Sequence, residues 1–107
     1  MTDLMWLCNN VINALKDTDE YREYRETLSA MQEHPELMAR VNEMRKKNYR
    51  LHMEQSEDLV DLVDALTNEY VDVINNELVG RFLSAEASFC KLFKDFNNQV
   101  VSGLEFL

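Results

Sequence analysis

The sequence predicts an all-α fold: an elongated bundle of about five helices with a long C-terminal helix, in one domain covering residues 1–107. Three observations predict it. Only Pro35, Gly80 and Gly103 are strong breakers of helix or strand in 107 residues, whereas a sandwich or barrel needs a turn roughly every 8–12 residues. Apolar residues recur at spacings of three and four along most of the chain, the period of an amphipathic helix. Hydrophobic residues at 46% and charged residues at 29% give a chain that folds rather than staying disordered, with length for one core.

The first helix is expected over 4–15, with Leu4, Cys8, Val11 and Leu15 on one face and Leu7 and Ile12 beside them. Thr2 or Asp3 caps its start, and it runs out near Asp17–Thr18. The second carries Tyr21, Tyr24, Leu28 and Met31 in the rhythm of a helix packed along a neighbour. Pro35 ends it and suits the first turn of the third, where a missing N–H costs nothing. The third shows Leu37, Val41 and Met44, then Asn48 and Leu51, and the polar run 52–58 reads as a loop or frayed turn. One continuous fourth helix follows through Leu59, Leu62, Val63, Leu66, Tyr70, Val73 and Ile74. Asn75–Asn76 offer a break and an N-cap. The fifth helix is expected from about Glu77 to Ser102, with Leu78, Phe82, Ala85, Phe89, Leu92, Phe93, Phe96 and Val100 as its apolar positions. Residues 34–41 echo residues 75–82, with Glu36/Glu77, Leu37/Leu78 and Arg40/Arg81 identical; duplication and shared helix-start chemistry both account for this.

The fifth helix bears on assembly. At 1.5 Å per residue it is about 39 Å long, against a diameter of roughly 34 Å for a compact 100-residue globule. Its apolar arc covers about half the circumference, where a stripe near 100° suffices to pack on one core. The expectation is self-association through the last two segments, as a homodimer or higher homo-oligomer. Phe82, Phe89, Phe93, Phe96 and Val100 are the candidate oligomer or partner interface. Glu86 and Asn97 intrude on the arc, either at its shoulder, paired with a base such as Arg40 or Arg81, or as register-setting groups in a seam.

Catalytic and metal signatures are lacking. Met31 and Tyr49 stand three before His34 and His52, so no Glu-x-x-His pair exists for a carboxylate-bridged metal site. There is no His-Glu-x-x-His, phosphate-binding glycine loop or Gly-x-Ser-x-Gly. Cys8 and Cys90 are too far apart for a zinc motif and, lying on apolar faces, are expected as inert buried thiols. No catalytic, cofactor or metal residue is expected, and no enzyme. The uncharged stretch 4–15 is too short to span a bilayer and holds three asparagines. No basic residue precedes it and no cleavage-like site follows, so a cytoplasmic protein without membrane contact is expected.

The net charge of −9, from 20 acidic and 11 basic residues, repels nucleic acid at long range. Yet charge is segregated. Arg40, Arg45, Lys46, Lys47 and Arg50 lie within eleven positions with only Glu43 opposing, and residues 51–80 hold eight acids and no Lys or Arg. Either the two stretches neutralise each other, within the chain or across a dimer, or Arg45, Lys46, Lys47, Tyr49 and Arg50 form a local anion or RNA patch with Tyr49 stacking on a base. Docking of an acidic protein is the third option.

Three stretches carry a family resemblance: 11–31 (VINALKDTDEYREYRETLSAM), 34–44 (HPELMARVNEM) and 76–101 (NELVGRFLSAEASFCKLFKDFNNQVV). With its paired tyrosines, a helix start at His34–Pro35 similar to the family's acid-Pro start and a closing Asn-rich apolar helix, the chain resembles the YlbF/YmcA family of small bacterial helical regulatory proteins. The resemblance implies a non-catalytic all-α oligomer. It also implies partners like YaaT and the endoribonuclease RNase Y, and hence mRNA processing, competence, biofilm formation and sporulation. Asn76 stands where the family often has proline, and the sequence to Leu107 shows none of the tail cysteines that hold iron–sulfur clusters in founding members. The cysteine-tail-lacking branch is therefore the closer comparison, and cluster binding is not expected.

Overall fold

The computed structural model describes residues 3–105. Among these the chain is all helical: α1 (Leu4–Lys16), α2 (Asp19–Gln32), α3 (Pro35–Glu54), α4 (Leu59–Glu69), α5 (Val71–Ile74) and α6 (Glu77–Gly103). It divides into two compact units, one made of the residues up to Leu28 with those from Phe82 onward, the other of Ser29–Arg81. Among the described residues no helix is long and apolar enough to cross a membrane.

Local chemistry sets most boundaries. The Asp3 carboxylate accepts from the Met5 N–H at 2.9 Å and opens α1; the other candidate cap, Thr2, lies outside the described residues. The Thr18 hydroxyl donates to the Leu15 carbonyl at 2.7 Å and accepts from the Tyr21 N–H at 3.1 Å, so one side chain closes α1 and opens α2. Pro35 begins α3 as expected. The Asn76 side chain accepts from the Val79 N–H at 3.1 Å and starts α6, which extends for 27 residues, about 40 Å. The run 52–58 is partly helical: α3 continues to Glu54 and stops where Gln55 turns left-handed at φ 51°.

The expected fourth helix is two helices, making six among the described residues instead of about five. The break falls at Tyr70, whose backbone sits at φ −111°, ψ 26°. There the Val73 N–H donates to the Tyr70 carbonyl at 3.0 Å, so the Glu69 carbonyl loses its helical donor. The Arg40 guanidinium replaces it at 3.4 Å. The offset lets the Tyr70 side chain become fully buried.

In the second unit α3 packs on α4 and α5, and Met31, Val41, Leu66, Tyr70, Val73 and Val79 are buried. In the first unit Phe82, Ala85 and Thr27 are buried, the Thr27 hydroxyl donating to the Glu23 and Tyr24 carbonyls. Aromatic rings join α2 to α6: Tyr24 stacks on Phe82 and Phe89 at 6.2 and 5.8 Å between centroids, and Tyr21 meets Phe89 edge-on at 5.5 Å.

Candidate functional site

Two surfaces stand out, one in each unit. In the second unit, charge from α3 is drawn onto α4 and α5 around Tyr70. Arg40 donates to an Asp72 carboxylate oxygen at 2.9 Å. Lys47 donates to Glu69 at 2.8 Å and lies 3.4 Å from Glu43. The Tyr70 hydroxyl donates to Glu43. Both cations also lie over the Tyr70 ring, Arg40 at 4.8 Å and Lys47 at 5.2 Å from its centroid.

The titrations follow these contacts. Asp72 is held below the ordinary carboxylate range by the Arg40 hydrogen bond, and Arg40 is raised by the same bond. The hydrogen bond from Tyr70, then that from Lys47, lowers Glu43. Burial first, then Glu43, raises Tyr70. Lys47 is raised, chiefly by Glu69. For the paired carboxylates and cations each shift favours the ionised form, and the network sits at the α4–α5 break, where Arg40 also reaches the Glu69 carbonyl.

This arrangement divides the basic stretch. Lys47, like Arg40, is taken up by the acidic segment, in keeping with mutual neutralisation. Arg45 is half-buried, while Lys46, Tyr49 and Arg50 are exposed on successive turns of α3. Arg50 borders an open hollow of about 330 Å³ between α3 and α4, floored by Leu51, Leu62, Ala65 and Leu66. The five residues therefore do not form one cationic face.

In the first unit the candidate interface residues part company along α6. Phe82 is buried against Tyr24 and is not a surface residue, which removes it from the interface set. Phe89 is half-buried under the two tyrosines. Phe96 is half-buried beside Phe93 at 6.4 Å. Phe93 is 44% exposed, and Val100, Val101 and Leu104 are exposed with it. An apolar hollow of about 470 Å³ opens here, lined by Phe89, Cys90, Phe93, Lys94 and Asn97. Glu86 is half-buried and Asn97 exposed.

The expectation of buried thiols is corrected: Cys8 and Cys90 are both exposed. Each lies on an apolar helical face as the spacing says, but those faces are uncovered. The same holds for α1 as a whole, whose spacing puts Leu4, Cys8, Val11 and Leu15 on one face. It has no buried residue; of its expected inner face only Val11 and Leu15 are even half-buried. Leu4, Met5, Trp6, Leu7 and Ile12 are exposed. The signal available in the sequence was the lack of charge from Leu4 to Leu15 on both sides of the helix.

A family model described as control of competence regulator ComK, YlbF/YmcA, matches residues 5–105. No curated protein and no solved structure matches the chain.

Proposed function

The chain belongs to the YlbF/YmcA family, and we propose that it is a non-enzymatic cytoplasmic regulatory protein that self-associates and acts by binding a protein partner. The family description ties it to control of the competence regulator ComK. The family resemblance suggests a partner like YaaT or RNase Y, and a role in mRNA processing. The observation that carries the reading is the exposed apolar strip at the C-terminal end of α6, Phe93 with Val100 and Val101, continued by Leu104 just past the helix. A run of exposed apolar side chains along one helix end of a highly charged protein is the kind of surface that a partner or a second copy covers. Sedimentation equilibrium tests the first half. A dimer or higher species at micromolar concentration is expected, dissociating in Phe93→Glu, whereas a wild-type monomer throughout refutes it. Capture by the family's partner proteins, lost in Phe93→Glu, tests the second.

A second reading rests on Lys46, Tyr49 and Arg50, exposed together on α3. They are a small anion or RNA contact on an acidic protein. With Lys47 already paired, binding of single-stranded RNA should be weak and abolished by moderate salt. Absence of binding at low salt, or binding that survives replacing Lys46 and Arg50 with glutamate, removes this reading.

A further inference from the structure

Two uncovered apolar surfaces occur in the same unit, and each is the kind of surface the other lacks. Helix α1 is about 20 Å long, and the stretch of α6 from Phe89 to its end is about 22 Å. Between Leu4 and Leu15 α1 carries no charge, and its polar flank is three asparagines. It therefore has nothing with which to select an acidic or basic partner, or a nucleic acid, and no basic face to hold an anionic bilayer. It can meet the apolar α6 hollow, with its Lys94 and Asn97 rim, without opposing charge.

We infer that α1 of one copy lies on the C-terminal half of α6 of a second copy, reciprocally about a two-fold axis. This rests on the self-association proposed above and specifies its geometry. The area fits. Transfer scales imply roughly 100 Å² of apolar surface for a large apolar side chain. The five exposed residues of α1 and the four of α6 are on average about half exposed. Together they offer roughly 450 Å² of apolar surface per copy on that scale. A standard interface takes about 800 Å² from each partner, a little over half of it apolar. A reciprocal contact uses both surfaces in each copy and leaves neither bare.

The chain carries its own reporter, since its single tryptophan, Trp6, lies on α1 and is 59% exposed. Wild-type protein is diluted through its association midpoint while mass and Trp6 emission are followed. Emission should be blue-shifted in the dimer and move red with the same midpoint as the mass. Leu4→Glu, which replaces an exposed residue on a helix with no buried ones, should leave helical content intact and give a monomer. A short bifunctional maleimide should join Cys8 of one copy to Cys90 of the other, the product disappearing in both C8S and C90S.

Several results overturn the inference while leaving self-association standing. These are a mass change with constant emission, a Leu4→Glu dimer where Phe93→Glu dissociates, or a Cys8–Cys8 product alone. A wild-type monomer at all concentrations overturns both. So does a monomer whose emission shifts only on neutral phosphatidylcholine vesicles, because a lipid surface would then be the occupant.

Discussion

Val73 and Ile74 separate the observed α4–α5 break from the unbroken helix that the sequence suggests. In one continuous helix both residues continue the apolar row of Leu66 and Tyr70, and the larger isoleucine should cost more to truncate. The break turns them apart: Val73 is fully buried, Ile74 is 44% exposed. Val73→Ala removes two buried carbons at about 0.8 kcal/mol each and leaves a cavity, for a total of roughly 2–3 kcal/mol. Ile74→Ala removes three carbons, but they have already kept about half of their contact with water and leave no closed cavity, so about 1 kcal/mol is expected. At roughly 4–8 °C per kcal/mol for a domain near this size, Val73→Ala should lower Tm by about 10–20 °C and Ile74→Ala by about 5 °C. Urea unfolding at low protein concentration, followed by circular dichroism, measures the pair free of association. An Ile74→Ala cost equal to or above that of Val73→Ala refutes the break and the register built on it.

Other outcomes are equally specific. Phe93→Ala should weaken self-association about fiftyfold by sedimentation. Exposed to the extent of 44%, its side chain has roughly 50 Å² to bury, about 1.2 kcal/mol at each of two symmetric sites. A tenfold change or less would place the seam elsewhere. Stability should fall in acid below about pH 4.5, because Glu43 and Asp72 are depressed from ordinary values of 4.5 and 3.8. Their contribution is complete above those values and is lost as pH drops through the lower folded ones. It should also fall above about pH 10, since Tyr70 and Lys47 are raised from 10.0 and 10.5, and a Glu43→Gln variant should show a flatter acid limb in Tm against pH. Gly80→Ala should stabilise by about 0.5–1 kcal/mol in thermal melts. It lies inside α6 without positive φ, and an added Cβ there meets no atom within 4 Å; a loss of stability would mean that face is covered.

Helix ends were legible where a side chain or ring acts on its own backbone. Asp3, Thr18, Pro35 and Asn76 each do so within three residues. The break at Tyr70 was not legible, because its cause lies thirty residues away. Arg40 reaches the Glu69 carbonyl and Asp72, and the apolar row is compatible with either outcome. The charge segregation was legible, and so was partial neutralisation as one of its outcomes. Which cations are consumed was not, since Lys46 and Lys47 differ only in the side of α3 on which they fall, and only Lys47 faces Glu69.

The same distinction governs the candidate interface. Phe82, Phe89, Phe93 and Phe96 look alike in sequence, four rings along one helix, and periodicity says only that they share a face. What divides them is where α2 begins. Tyr24 reaches Phe82 and Phe89, while Tyr21, one turn earlier, reaches Phe89. The two helices therefore run antiparallel, and moving back along α2 means moving forward along α6. Tyr21 lies two residues from the start of α2, and Glu20 before it borders a hollow with Lys91, Leu92 and Asp95, so the cover of α2 ends one to two turns beyond Phe89. From Phe93 onward α6 continues for about 15 Å more with Phe93, Val100, Val101 and Leu104 exposed. The Thr18 corner that starts α2 thus decides how much of α6 is left bare. It also decides where α1 departs, as the Thr18 hydroxyl binds the last turn of α1 as well. A corner placed one or two turns earlier would have let α2 cover the strip. Its position at Thr18 leaves an apolar half-helix and an uncharged apolar helix in one unit, each lacking the cover that a second copy can supply.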